Sequence, residues 1–391
     1  MKRLGLVRTA GMLLAFSLAI AAALPAQTLQ TVVSFNSSGG YHPYLPPSLA
    51  PDGTLYGTTY WGGTNDYGTV FKLTPSGTLT TLADFCIQGP PNCEHDGFVI
   101  VGSDGNVYGT DPGGGDSNGG TFFEITSAGV VSVLYNFCSL ANCADGSGPG
   151  VVLQGSNGNF YGVTAAGGTG QHSSGTVFQI TPSGVLTTIY NFCSLTNCAD
   201  GSGPLTLVEG SDGNFYGATG QGATNSDGTV FQITPSGTLT TLYRFCSLAN
   251  CVDGQYPAGL IQATNGNLYG TTNSGGTQNR GTVFQLTPSG TLKTLHNFCS
   301  SANCADGNGY GSYLIQGRDG NFYGTTQTGG ALTRNYCPDG CGTLFQLTPG
   351  GVLSTLFHFC TQSACTDGNE PVGIVQASDG SFYGTTYWGG D

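Results

Sequence analysis

The dipeptide Tyr-Gly recurs at Tyr56, Tyr108, Tyr161, Tyr216, Tyr269, Tyr323 and Tyr383, spaced 52, 53, 55, 53, 54 and 60 residues apart. Seven copies over almost the whole chain mean one structural unit used repeatedly, which takes precedence over the division into roughly two or three domains that length alone suggests. The fourth copy is the clearest to read. Leu205 to Glu209 is a short apolar run, and Ser211-Asp212-Gly213-Asn214 is an Asp-Gly hairpin turn. Phe215 to Thr219 and Gly228 to Ile233 are the next strands, separated by the Gly-rich loop Gln221 to Asp227. Thr234-Pro235-Ser236-Gly237 supplies Pro where φ near −65° is wanted and Gly where φ is positive, and Thr238 to Phe245 is a fourth strand.

Four antiparallel strands in one repeat, without helical periodicity, match a propeller blade better than the shorter coils of a β-solenoid. The expected fold class is therefore all-β, a seven-bladed β-propeller of four-stranded antiparallel blades. Labelled A to D from the inside out, the strands number seven A, seven B, six C and seven D. The extra D strand, Thr31 to Phe35, precedes the first A strand and is placed to close the ring, which removes exposed sheet edges. The last blade is expected to be incomplete. Tyr383 to Gly390 repeats Tyr56 to Gly63, which leads into the C strand Gly68-Thr69-Val70-Phe71, so either a further strand follows Asp391 or the last blade has three strands.

Composition fits many short strands and tight turns. Gly numbers 67, Tyr 19 and Phe 21, charged residues are 8%, and the apolar content of 38% is enough for a large core and too high for disorder. Lys2, Arg3 and Arg8 precede an apolar run from Gly11 to Leu24 and small residues ending at Ala26, the pattern of a cleaved signal peptide. That run is too short to span a bilayer comfortably. The expected organisation is a signal peptide over 1–26 and a single repeat domain over 27–391, secreted or at the cell surface. Cleavage removes three of the nine Lys and Arg and none of the 22 acids, taking the net charge from −13 to −16. Nucleic acid and membrane insertion of the mature chain are thereby excluded as expectations, since nucleic acid and anionic membranes both need basic patches.

The string Asp-Gly-Asn-Phe-Tyr-Gly-Thr-Thr at Asp319 to Thr326, with Gly-Thr-Val-Phe-Gln-Leu-Thr-Pro-Ser-Gly-Thr-Leu at Gly281 to Leu292, resembles the bacterial GloVer tandem-repeat family, also called choice-of-anchor GloVer proteins. The resemblance covers nearly all of 31–391. It implies surface or secreted proteins with a variable C-terminal anchor and no established activity. The string is also similar to sensor-type propeller repeats, which supports the fold and says little about function.

The 14 cysteines form close pairs: Cys86 with Cys93, Cys138 with Cys143, Cys193 with Cys198, Cys246 with Cys251, Cys299 with Cys304, Cys337 with Cys341, and Cys360 with Cys365. In an exported protein this regularity implies disulfides, and a zinc site is disfavoured because each pair sits in its own blade. Cys337 and Cys341 belong to an insertion that accounts for the one 60-residue spacing. Asp96, Asp145, Asp200, Asp253, Asp306 and Asp367 precede Gly after most of these pairs. They read as turn formers, with a ring of Ca²⁺ ligands as the alternative; each loop offers one carboxylate, whereas Ca²⁺ wants six to eight oxygens, so no cofactor is expected.

Three positions before each A-to-B turn, the inner strands carry Leu49, Val101, Gln154, Glu209, Gln262, Gln316 and Gln376. The polar members suggest a water-filled lumen or, more sharply, a site for a small polar ligand. The only tryptophans, Trp61 and Trp388, follow Tyr60 and Tyr387 at equivalent positions of the first and last blades. If the ring closes, these four become one aromatic patch suited to sugar rings; otherwise each pair packs locally against glycines.

Catalytic patterns are weak. The histidines His42, His95, His172, His296 and His358 are scattered, and His296 stands where Tyr190 stands in a sister repeat. Glu94, Glu124, Glu209 and Glu370 are the acids not explained as turn residues, and general acid–base work needs a close pair. The expected function is a non-enzymatic extracellular binding or surface-display module, monomeric, with a glycan or cell-surface component as partner. The alternatives are an exported polysaccharide hydrolase or lyase using residues such as Glu94 and His95, and a structural spacer for a C-terminal anchor.

Overall fold

The structure, a computed structural model, describes residues 12–16, 29–37, 39–85, 97–223, 226–331 and 337–390. Blade 4 shows how the repeat folds. Its strands are Ser202–Glu209 (A), Phe215–Gln221 (B), Thr229–Ile233 (C) and Leu239–Arg244 (D), in a sheet that runs in sequence order. Strand A starts three residues earlier than the sequence indicates. Pro204 pairs with Thr219 on the inner edge strand of the sheet, the place in a sheet where proline is tolerated.

B and C strands are packed on both faces, because each blade is sandwiched between two neighbours. In Thr229–Ile233 only Gln232 is not fully buried. The core consequently lies between blades: Tyr161, Val177 and Phe192 of blade 3 join Leu207, Phe215 and Phe231 of blade 4 in one cluster. The Gly of each Tyr-Gly has a steric reason. A Cβ on Gly57 would fall 2.5 Å from Cζ of Phe71 on the adjacent strand, and one on Gly162 would meet Phe178 at the same distance. Buried threonines tie B to C, as between Thr219 and Thr229, whose Oγ1 atoms are 3.0 Å apart.

The D-to-A connections that follow blades 2 to 6 each contain a disulfide. Cys138–Cys143, Cys193–Cys198, Cys246–Cys251, Cys299–Cys304, Cys337–Cys341 and Cys360–Cys365 are all formed, the fifth within the insertion of blade 6. Cys86 and Cys93 lie outside the described residues. In the five D-to-A connections the chain makes a single turn of 3₁₀ helix ending on the second cysteine, as at Thr196–Cys198, with Asn197 at φ 56°. A turn of three residues is too short for periodicity to reveal it in the sequence. Replacing Cys193 and Cys198 by Ser is expected to cost about 2 kcal/mol, the chain entropy of a loop this size, measurable by denaturant unfolding.

Blades 1 to 6 are each built from consecutive sequence, and the seventh sheet is composite. Its A and B strands are Asn369–Gln376 and Phe382–Trp388, its D strand is Leu29–Ser34, matching the closing strand expected at Thr31 to Phe35. The C position, expected to be empty, holds Met12–Phe16, from the segment that reads as a leader. Val375 and Tyr383 of this sheet pack against Leu55 and Phe71 of blade 1, so the first and last repeats meet at a seam.

Candidate aromatic site at the seam

Blade 1 begins irregularly. Pro46 and Pro47 split its inner strand into Tyr41–Pro43 and Ser48–Leu49, and the break carries Tyr44. Strands Leu55–Trp61 and Phe382–Trp388 end beside this break and bring the two Tyr-Trp pairs together. Tyr44 bridges them, its ring 6.0 Å from Tyr60 and 5.9 Å from Tyr387. Tyr60 meets Trp61 edge-on at 5.0 Å, and Tyr387 meets Trp388 at 5.3 Å. All four residues named from sequence therefore join one patch.

His42 anchors that patch. It is 4% exposed and has φ 57°, the left-handed conformation that the repeat uses before its A-strand proline, as at Gly148, Gly203, Tyr256 and Glu370. Its ring stacks on Tyr387 at 4.6 Å and stands edge-on to Trp388 at 3.9 Å, while Nδ1–H donates to the Tyr387 carbonyl at 2.7 Å. Burial pushes the imidazole pKa below its usual value, so His42 is neutral at physiological pH. Above this floor Trp388 is 45% and Tyr44 39% exposed. Tyr41 closes one side, with its OH donating to Asp66, whose carboxylate also accepts the Gly62 amide. Sequence reasoning missed Tyr41, His42 and Tyr44 because they precede the repeated string; the density of rings in Tyr41-His42-Pro43-Tyr44 was the available signal.

The patch sits at the edge of the central channel. A cavity of about 740 Å³ is lined by inner-strand residues of all seven sheets, among them Tyr44, Leu49, Val99, Val151, Leu207 and Val375. The inner-strand amides are engaged as clasps between blades. Oε1 of Gln154 accepts from the Ser103 amide, that of Gln262 from Ser211, that of Gln316 from Thr264, and that of Gln376 from Arg318, at 2.7 to 3.0 Å. Glu209 does the same with both the amide and hydroxyl of Ser156. Leu49 and Val101 have no side chain that could make this bond.

The Asp-Gly carboxylates are buried within their own loops. Asp200 accepts from the Tyr190 hydroxyl, the Ser194 amide and hydroxyl, and the Leu195 amide, and Asp145 and Asp253 repeat the pattern. Asp367 is held by Thr361 and Gln362. In blade 5 His296 takes the Tyr place, with Nε2 3.0 Å from Asp306. Burial works against ionisation of Asp306, but the bonds from His296, the Ser300 hydroxyl and the Ser301 and Ser300 amides outweigh it and hold the carboxyl well below the usual range. Asp96, Glu94 and His95 lie outside the described residues. Glu124 accepts from Asn106 and Tyr108, while burial raises the pKa of Glu370, at the start of the last A strand.

Fold and repeat together define a β-propeller repeat protein with four-stranded antiparallel blades and disulfide-closed connections. The chain belongs to the Gloeobacter/Verrucomicrobia repeat family, which matches residues 10–204 and 194–391. No curated protein matches it in sequence. Among solved structures it is similar to PorZ, a surface component of the type-IX secretion system of Porphyromonas gingivalis, at 13% identity and TM-score 0.58 over 92% of this chain and 48% of that one, so it spans about half of PorZ. It also matches a puromycin-hydrolyzing peptidase of Mycobacterium tuberculosis at 8% identity and TM-score 0.49, over 87% of this chain and 57% of that one. A gluconolactonase of Xanthomonas campestris matches at 14% identity and TM-score 0.44, over 75% and 85% of the two chains. Among the described residues no helix is long and apolar enough to cross a membrane. The disulfides indicate an oxidising environment.

Proposed function

We propose that this protein is an exported, non-catalytic binding module, and that the aromatic seam of a seven-bladed propeller takes a neutral sugar ring of an extracellular glycan. The carrying observation is the convergence of Tyr44, Tyr60, Trp61, Tyr387 and Trp388 from opposite ends of the chain into one patch beside the channel. Ring faces with polar tips offer apolar contact to the C–H face of a pyranose and hydrogen bonds to its hydroxyls. The acidic surface, with a formal charge of −13 for the whole chain, disfavours anionic polymers and so points to neutral ones. The leader-like segment and the disulfides support export.

The test is calorimetric titration with neutral polysaccharides, comparing the wild type with Tyr387→Ala and Tyr44→Ala. Loss of one stacking face is expected to weaken binding about tenfold, the equivalent of about 1.4 kcal/mol. Unchanged affinity in both variants would remove the seam from the account. Turnover of the polysaccharide, abolished by a single acid or histidine substitution, would replace the binding reading by an enzymatic one.

A further inference from the structure

We infer that the space between strands Phe382–Trp388 and Leu29–Ser34 is an acceptor groove for an extended segment with the C-strand pattern of this repeat, Gly-Thr-Val-Phe-Gln-Ile. Met12–Phe16 is a placeholder in it. The inference rests on the proposed export, because removal of a leader over 1–26 would vacate the groove.

Register is the first support. Met12 to Phe16 pair in order with Thr386, Thr385, Gly384, Tyr383 and Phe382. In blade 6, Thr343 to Leu347 pair in the same order with Thr326, Thr325, Gly324, Tyr323 and Phe322. Both strands also shift register against strand D after their second residue. The placeholder thus occupies a C-strand position residue for residue.

Its side-chain types do not suit that position. In five blades the first C-strand residue is a Thr whose Oγ1 meets the B-strand Thr: Thr59 with Thr69, Thr164 with Thr176, Thr219 with Thr229, Thr272 with Thr282, and Thr326 with Thr343, all at 2.9 to 3.0 Å. The corresponding B-strand residue here is Thr386, 0% exposed, and its Oγ1 has no hydrogen-bond partner among the described residues. The residue opposite is Met12, which carries no hydroxyl. At the third position, the six other blades place a Phe ring over the Tyr-Gly glycine, from Phe71 on Gly57 to Phe345 on Gly324. Gly384 is the Tyr-Gly glycine of the last sheet, where a Cβ would meet the Gly373 carbonyl at 2.5 Å and Ile374 at 2.8 Å, and the residue paired with it is Leu14 in place of Phe. The buried Thr386 hydroxyl without a partner specifies Thr at the first position, and the six equivalent blades specify Phe at the third. With strands B and D already in place, an incoming segment gains backbone hydrogen bonds on both edges, the strongest form of β-augmentation.

The experiment uses the chain beginning at Gln27 and a labelled peptide spanning residues 226–234, Ser-Asp-Gly-Thr-Val-Phe-Gln-Ile-Thr. Saturable binding is expected, at least tenfold weaker for the peptide carrying Thr229→Met and Phe231→Leu, and weaker again on the full chain, whose groove is filled. If the shortened chain folds only when refolded with the peptide, the groove is likewise supported. Absence of binding, or equal binding of both peptides, overturns it. In the full chain, Met12→Thr is expected to raise the midpoint of thermal unfolding by giving Thr386 its partner, and a lowered midpoint contradicts the assignment. Fractionation and N-terminal sequencing of the protein expressed in a bacterial host test export separately: a full-length chain confined to the cytoplasm refutes export and cleavage while leaving the peptide result standing.

Discussion

Replacing Phe71 by Ala is expected to destabilise the protein by about 3–5 kcal/mol, the cost of emptying a fully buried aromatic site. Phe71 is 1% exposed and packs with Phe35, Leu55 and Leu73 in the cluster that joins blade 1 to the last sheet, so the loss should fall on ring closure as well as on the blade. Its ring also explains Gly57. The contacts that a Cβ on Gly57 would meet are all ring atoms of Phe71, the nearest at 2.5 Å. Gly57→Ala alone should therefore cost about 1–3 kcal/mol through overpacking. In the Phe71→Ala background most of that cost should vanish, since the obstructing ring is gone. Denaturant unfolding of the four proteins closes this double-mutant cycle, and additive costs would refute the steric explanation.

Asp306→Asn is expected to cost about 3 kcal/mol at neutral pH, because a buried charged acceptor serving four donors is replaced by a neutral amide that presents N–H to one of them. The sign of the pH dependence follows from the depressed carboxyl pKa. Asp306 binds a proton more readily in the unfolded chain, so its contribution is fully present above about pH 4 and is lost as pH falls through the folded value. Asp145, where burial opposes ionisation but the bonds from Ser139, Tyr135 and Leu140 prevail, adds to the same acid lability. The wild type should lose stability steeply below pH 4, whereas Asp306→Asn should start lower and fall less. Parallel pH profiles for the two proteins would contradict this role.

The blade plan was legible because each strand boundary carries its own turn chemistry, as at Asp212-Gly213 and Pro235-Ser236-Gly237, and because the repeat presents the same evidence seven times. Partner identity was less legible. Alternation along the inner strands places Gln154, Gln262, Gln316 and Gln376 toward the lumen but does not encode that an amide reaches sideways to the neighbouring turn. The seam was half legible. The matched positions of Trp61 and Trp388 place them side by side once the ring is closed, whereas Tyr44 and His42 join them through the irregular Pro46-Pro47 break, which no periodicity encodes. The strand Met12–Phe16 was hidden for a different reason: its composition fits a leader as well as a buried strand, and only pairing distinguishes them.

The two tryptophans make the central claim directly measurable. Trp61 and Trp388 are the only ones in the chain and both belong to the seam, so intrinsic tryptophan emission reports that site alone. Titration with a panel of neutral oligosaccharides should give a saturable change in emission for at least one sugar, reduced about tenfold in apparent affinity by Tyr387→Ala. Binding detected by calorimetry with no change in tryptophan emission, or with affinity indifferent to Tyr387, would place the ligand elsewhere on the propeller and contradict the account.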